Sequence, residues 1–167
     1  IRDFAFFEDL KTAMANDGVD IETAIGDGNY QQIADYILSG KGLDYGSLPK
    51  GLLKFHNYEE GARTPVEEHL VEGANYANAN GVVRLHFTVS PEHRSRFETL
   101  IEAVKPAFEE KYNVTYEVSF SEQKPSTDTI SVNLDNTPFR NGDGSLLFRP
   151  AGHGALLANL DDQDGDV

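Results

Sequence analysis

"GVVRLHFTVSPEHRSRFETLIEAVKPAFEEKYNVTYEVSF", residues 81–120, is the stretch that decides the fold class. Its ends, 81–90 and 114–120, are short runs rich in β-branched and aromatic residues, the composition of strands. Between them Phe97, Leu100, Ile101 and Val104 recur at the spacing of a helix that buries one face. Ser90 and Pro91 supply a cap and a first-turn proline for that helix, and Pro106 is expected to kink or end it. A strand, a helix and a second strand in succession form the crossover that joins parallel strands. The expected fold is therefore α/β, a mainly parallel three-layer α/β/α sheet. In such sheets ligands sit beyond the C-terminal ends of the strands, and "SEQKPSTDT" (121–129) lies at such an end.

Upstream, "RTPVEEHL" (63–70) places Thr64, Pro65 and Glu67 as N-cap, first-turn proline and capping-box acid, so a helix starts there. Before it, "SLPKGLLKFH" (47–56) sets Pro49, Lys50 and Gly51 ahead of a short apolar run at the mouth of a strand, with Lys54 facing outward from that strand. The first forty residues read as a helical segment. Phe4, Phe7, Leu10 and Met14 follow Asp3, a possible N-cap, and Tyr30, Ile33, Ala34 and Ile37 mark a second helix that stops at Ser39-Gly40. A glycine-rich connection joins the two helices. Downstream, "TISVNLD" and "SLLFRP" flank the turn-rich "NTPFRNGDG" as a hairpin-like excursion, and "GALLANL" (154–160) closes as a helix. No internal repeat is expected.

At 167 residues the chain is large enough for a real core. Net charge is −14 and the isoelectric point is near 4.6, a field that repels nucleic acid and anionic membranes. A small phosphorylated ligand, which needs only a local cluster of positive groups, remains compatible with that field. The sequence has no cysteine, so disulfides and thiolate metal sites are excluded. No apolar run approaches membrane-spanning length and no signal peptide is visible, so a cytoplasmic location is expected. The chain begins at Ile1 and ends at "DDQDGDV" (161–167), an acidic turn before one β-branched residue that is expected to open a further strand. A fragment of a longer protein, incomplete at both ends, is the expectation.

Candidate chemistry comes from short motifs, and each also has an ordinary reading. Lys50 is a fixed positive charge for a phosphate, or a solvated lysine. Gln123 is a donor–acceptor pair for a ligand edge, or a loop polar. Ser126, Thr127, Asp128 and Thr129 cluster hydroxyls and a carboxylate, or simply turn the chain. In "RPAGHGALL" (149–157), Gly152 and Gly154 flank His153 and permit close backbone approach just before a helix, whose free amides favour anions. The ordinary reading is a tight loop. His56, His69, His86 and His93 have no metal-ligand spacing, and "DDQDGD" lacks the spacing of a calcium loop.

Taken in order, "LPKGLLKF", "RTPVEEHL", "TVSPEH", "FSEQKP" and "RPAGHGALL" resemble the GT-A type sugar-phosphate nucleotidyltransferases, in their uridylyltransferase-like branch. The nearest resemblance is to a bacterial nucleotidyltransferase-like domain family of uncharacterised activity, marked by "STDTI", "PFR" and "FRPAGHGALL". It covers about residues 40–167. It implies a nucleotide-diphospho-sugar transferase-like domain over 41–167, with 1–40 as a helical insertion after the nucleotide loop. It also implies transfer of a nucleotidyl group, with uridylyl as the favoured case, from a nucleoside triphosphate to a sugar phosphate, with Mg2+ neutralising developing charge. A non-catalytic nucleotide or nucleotide-sugar binding domain on the same fold is the alternative. The resemblance puts Lys50, the catalytic candidate, near ligand phosphates, Gln123 at the base edge, and Gly152, His153 and Gly154 along the nucleoside. The family's glycine-rich loop with its arginine, and its metal-binding aspartate, have no counterpart between Ile1 and Val167, so this chain alone is expected to be inactive.

Overall fold

The computed structural model describes residues 1–164, apart from the His153 side chain. It is mixed α/β with three small sheets. Two compact units form, Ile1–Val83 with Ser95–Tyr116, and Arg84–Arg94 with Glu117 onward. The strand expected to open at Val167 lies outside the described residues.

The first unit begins with three helices, α1 (Phe7–Asn16), α2 (Ile21–Gly26) and α3 (Tyr30–Leu38). Phe7, Leu10, Met14, Ile21, Ala24, Ile33 and Tyr36 form their shared core. Helix α1 starts at Phe7 rather than behind Asp3, and Phe4 is 57% exposed, stacked on Phe6. The glycine-rich connection holds α2. Asp20 caps it by accepting from the Thr23 N–H at 2.8 Å, and Ile21 and Ala24 are buried. A cap and two buried residues are enough for one short helix despite the flanking glycines.

Residues 50–52 form a 3-10 turn, not the start of a strand. A Cβ on Gly51 would lie 2.9 Å from the Phe97 ring and 3.4 Å from Val66, so this glycine lets the backbone settle on the core. Strand β1 (His56–Tyr58) follows and pairs antiparallel with β2 (Gly61–Arg63). Lys54 therefore precedes the strand. Its ammonium pairs with Asp9 at 2.7 Å, and its N–H donates to the Tyr45 hydroxyl.

Helix α4 (Pro65–Tyr76) carries the complete capping box: the Glu67 N–H donates to Thr64 Oγ1, and the Thr64 N–H donates to Glu67 at 2.7 Å. Strand β3 (Asn78–Ala79) turns through Asn80 and Gly81, both at positive φ, into its antiparallel partner β4 (Val82–Val89). A 3-10 turn at Pro91–His93 then leads into α5 (Arg94–Tyr112), and Ser90 makes no side-chain cap. Pro106 neither ends α5 nor prevents its continuation to Tyr112. Buried Ile101 and Phe108 anchor the helix on both sides of the missing N–H. Strand β5 (Thr115–Glu122) lies next to β4 and runs in the same direction. The Thr115 N–H donates to the Gly81 carbonyl near one end and the Gln123 N–H to the Val89 carbonyl near the other, at a constant offset. Tyr116, buried on β5, donates to the Leu70 carbonyl at 2.7 Å, and burial pushes its hydroxyl up to about 12.

In the second unit, 129–149 contains a repeat, contrary to the expectation of none. Asn133-Leu134-Asp135-Asn136-Thr137 and Asn141-Gly142-Asp143-Gly144-Ser145 make the same tight loop eight residues apart. In each, the aspartate accepts from the N–H and hydroxyl of the Thr or Ser two residues on, and the asparagine amide donates to that same hydroxyl. Asn136 and Gly144 hold the equivalent positive-φ position. The loops separate three extended segments that pair in a closed triangle. Strand β6 (Thr129–Ile130) pairs with β7 (Phe148–Arg149), Val132 bridges to Pro138, and Arg140 bridges to Leu146. Ser131 donates its N–H to the Leu147 carbonyl, Leu147 to Phe139, and Phe139 back to Ser131, which closes a ring of backbone bonds through residues eight apart. The hairpin-like excursion is thus a three-way junction. Helix α6 (Leu157–Asp161) follows a 3-10 turn at His153–Leu156.

Candidate functional site

The end of β5 and the segment from Gly152 are held together within the second unit by polar contacts. Thr127 Oγ1 lies 2.6 Å from the Lys124 carbonyl and 2.9 Å from the Ala155 carbonyl, one hydroxyl shared between the two loops. Lys124 donates its ammonium to the Ala158 carbonyl at 3.1 Å and pairs with Asp162. Asn159, 2% exposed, donates to Ser121 Oγ at 3.0 Å and to the Glu122 carbonyl at 2.8 Å. A lysine and two polar side chains thereby anchor α6 to the strand end, the position where α/β folds place their ligands.

Gln123 is the first residue after β5, with its backbone N–H on Val89. Its side-chain Nε2 is buried without a hydrogen-bond partner, as is Asn159 Oδ1. Buried polar atoms are nearly always paired, because an unpaired one costs about 1–3 kcal/mol. Gln123 Nε2 is thus a donor that the fold buries at a strand end without an acceptor of its own.

Gly152 sits at φ 73° and ψ 170°, a backbone region open essentially to glycine alone. Gly154 lies in the 3-10 turn, and a Cβ placed there would meet nothing within 4 Å, so the protein itself leaves that space open. The His153 side chain lies outside the described residues. The helix N-terminus expected to favour an anion here does not form, because a 3-10 turn intervenes and α6 has five residues.

Lys50 belongs to the first unit. It is exposed and makes no ion pair or side-chain hydrogen bond among the described residues, whereas Lys54 is held by Asp9. The fold thus ties Gln123's segment to the 152–154 segment and leaves Lys50 on the other unit. Of the hydroxyl cluster, Thr127 braces the two loops and Thr129 donates to the Arg149 carbonyl. His86 is flanked by serines, with Nδ1 2.8 Å from Ser119 Oγ and Nε2 2.9 Å from Ser121 Oγ.

Among the described residues no three His, Asp or Glu side chains converge so as to hold a metal. No residue is therefore assigned to Mg2+. Asn159 and Arg149 escaped the sequence reading. An asparagine within the apolar run "ALLANL" was the available signal for the first. Nothing local marks the second.

The chain belongs, over residues 1–167, to the family described as Domain of unknown function (DUF4301). No curated protein and no solved structure matches it. No helix among the described residues is long and apolar enough to cross a membrane.

Proposed function

We propose that this protein is nucleotidyltransferase-like, moving a uridylyl or related nucleotidyl group from a nucleoside triphosphate to a sugar phosphate. In that reaction a phosphate oxygen of the sugar attacks the α-phosphorus, the α–β bond breaks, and pyrophosphate leaves. The observation that carries the reading is the buried, unpartnered amide nitrogen of Gln123, on the strand end to which Thr127 and Lys124 tie the 152–162 segment. A glutamine amide offers a donor and an acceptor, matching one edge of uracil. The backbone around Gly152 and Gly154 offers close approach to the nucleoside, and the unpaired Lys50 ammonium is a point charge for phosphates. Catalysis would then rest on positioning and charge stabilisation, with magnesium, when bound, neutralising the phosphates. The β4–α5–β5 crossover is taken as one unit of a larger parallel three-layer sheet in a cytoplasmic protein.

The test is pyrophosphate release from UTP and sugar 1-phosphates with magnesium, alongside calorimetric titration of UTP and UDP-sugars. Release together with formation of a nucleotide sugar is expected of a protein that also carries the glycine-rich loop and the metal-binding aspartate, and no release is expected from residues 1–167 alone. Lys50→Ala should weaken triphosphate binding about ten- to a hundredfold, the range of one charge-assisted contact, and Lys54→Ala should leave it unchanged. Nucleotide-sugar binding without pyrophosphate release would replace the enzyme by a non-catalytic binding domain. No nucleotide binding by the wild type would end both readings.

A further inference from the structure

The three-way junction of the second unit lines an open cleft of about 670 Å³. Its lining is mainly apolar, with Ile130, Val132, Phe139 and Leu147, and its charged member is Arg149. Phe139 and Leu147 occupy the same place in the two repeats and belong to the closed backbone ring, so their positions are fixed by the fold rather than by a free loop.

Arg149 stands out by elimination. The sequence has 28 acidic against 14 basic side chains, and five of its seven arginines pair with a carboxylate. Arg2, Arg63, Arg84, Arg94 and Arg96 each pair with one, and Arg140 donates to the Gly144 carbonyl. The Arg149 guanidinium has no such partner among the described residues, and Arg149 is among the residues that line the cleft. A mainly apolar cleft with one basic residue in its lining has the composition of a ligand site, and a planar guanidinium suits a phosphate bidentately.

We infer that this cleft is the acceptor subsite of the proposed transfer, holding the sugar phosphate with its phosphate on Arg149 and a C–H face of the sugar ring against Phe139. The inference rests on the nucleotidyltransferase reading for its ligand, since that reading already assigns the base to Gln123 and the nucleoside to the 152–154 segment. The cleft extends to Ala151, next to that segment, so the two ligands would meet at neighbouring residues.

The experiment titrates glucose 1-phosphate, inorganic phosphate and UTP separately into wild type, Arg149→Gln, Arg149→Lys and Phe139→Ala, with melting temperatures measured in parallel. Arg149→Gln should weaken glucose 1-phosphate at least about tenfold and leave UTP unchanged, with Arg149→Lys in between. Phe139→Ala should weaken glucose 1-phosphate but not inorganic phosphate. If UTP binds normally and Arg149→Gln holds glucose 1-phosphate as well as wild type, the inference fails while the nucleotide reading stands. Loss of UTP binding instead would place Arg149 on the nucleotide and also overturn it. Arg149-dependent glucose 1-phosphate binding by a protein that ignores UTP would keep the subsite and end the transferase reading.

Discussion

Gly152 and Gly154 differ in what they ask of a substitution. At Gly152 the backbone itself demands glycine, with φ 73° and ψ 170°, so Gly152→Ala should cost about 1–3 kcal/mol of local strain and reshape the loop before any ligand arrives. At Gly154 the backbone is ordinary and the space around a Cβ is empty. Gly154→Val should therefore leave the melting temperature within about 2 °C of wild type while abolishing nucleotide-sugar binding, because only a ligand would meet the new side chain. Calorimetry and a melting curve on each variant check this. Wild-type affinity in Gly154→Val would return the loop to a plain turn. Both glycines were legible in the sequence, since glycines spaced around a histidine are a local signal. That Gly152 is the conformationally demanding one was not, because both glycines permit a positive φ and only the folded backbone shows which of them adopts it.

Elements follow the same division between local and non-local causes. The capping box at Thr64 and Glu67 and the β4–α5–β5 crossover were readable because their chemistry lies within four residues or within one period. Helix α2 was missed because six residues give too little periodicity, and the asparagine-aspartate loops were missed as a repeat because alternation of Leu with Gly and Thr with Ser hides it. Asn159 and Arg149 were illegible for a different reason: one matters by being buried and the other by lacking a partner, and neither property exists before the chain folds. The paired loops also carry a pH signature. Bonds from Thr137 and from Ser145 hold the Asp135 and Asp143 carboxyls below their usual 3.8. A depressed carboxyl supports the fold above its unfolded value, and that support is lost as pH falls through the folded one. Amide shifts of Thr137 and Ser145, followed by NMR from pH 6 downward, should therefore titrate with midpoints below 3.8. Midpoints at or above that value would mean that the aspartates do not close the loops in solution.

For the whole molecule the governing fact is a net charge of −14 in a protein proposed to bind anions. The mean field opposes a nucleotide's approach, so affinity has to come from a few local donors in sites shielded from that field. The described donors that fit are few: the Gln123 amide and the 152–154 backbone for the nucleotide, and Arg149 for the sugar phosphate, while Lys50 on the first unit likewise lacks a carboxylate partner. They account for why an acidic chain keeps a lysine in "LPKG" and an arginine in "FRPAGHG" unpaired. Hydrogen–deuterium exchange with saturating UTP or UDP-glucose tests that account most directly, because it reports where the ligand sits without presuming a residue. Slowed exchange in peptides covering 123–132 and 147–157 is the predicted result, with a smaller effect around residue 50. Unchanged exchange at saturation, or slowing confined to α3 and its neighbours in 29–38, would contradict it.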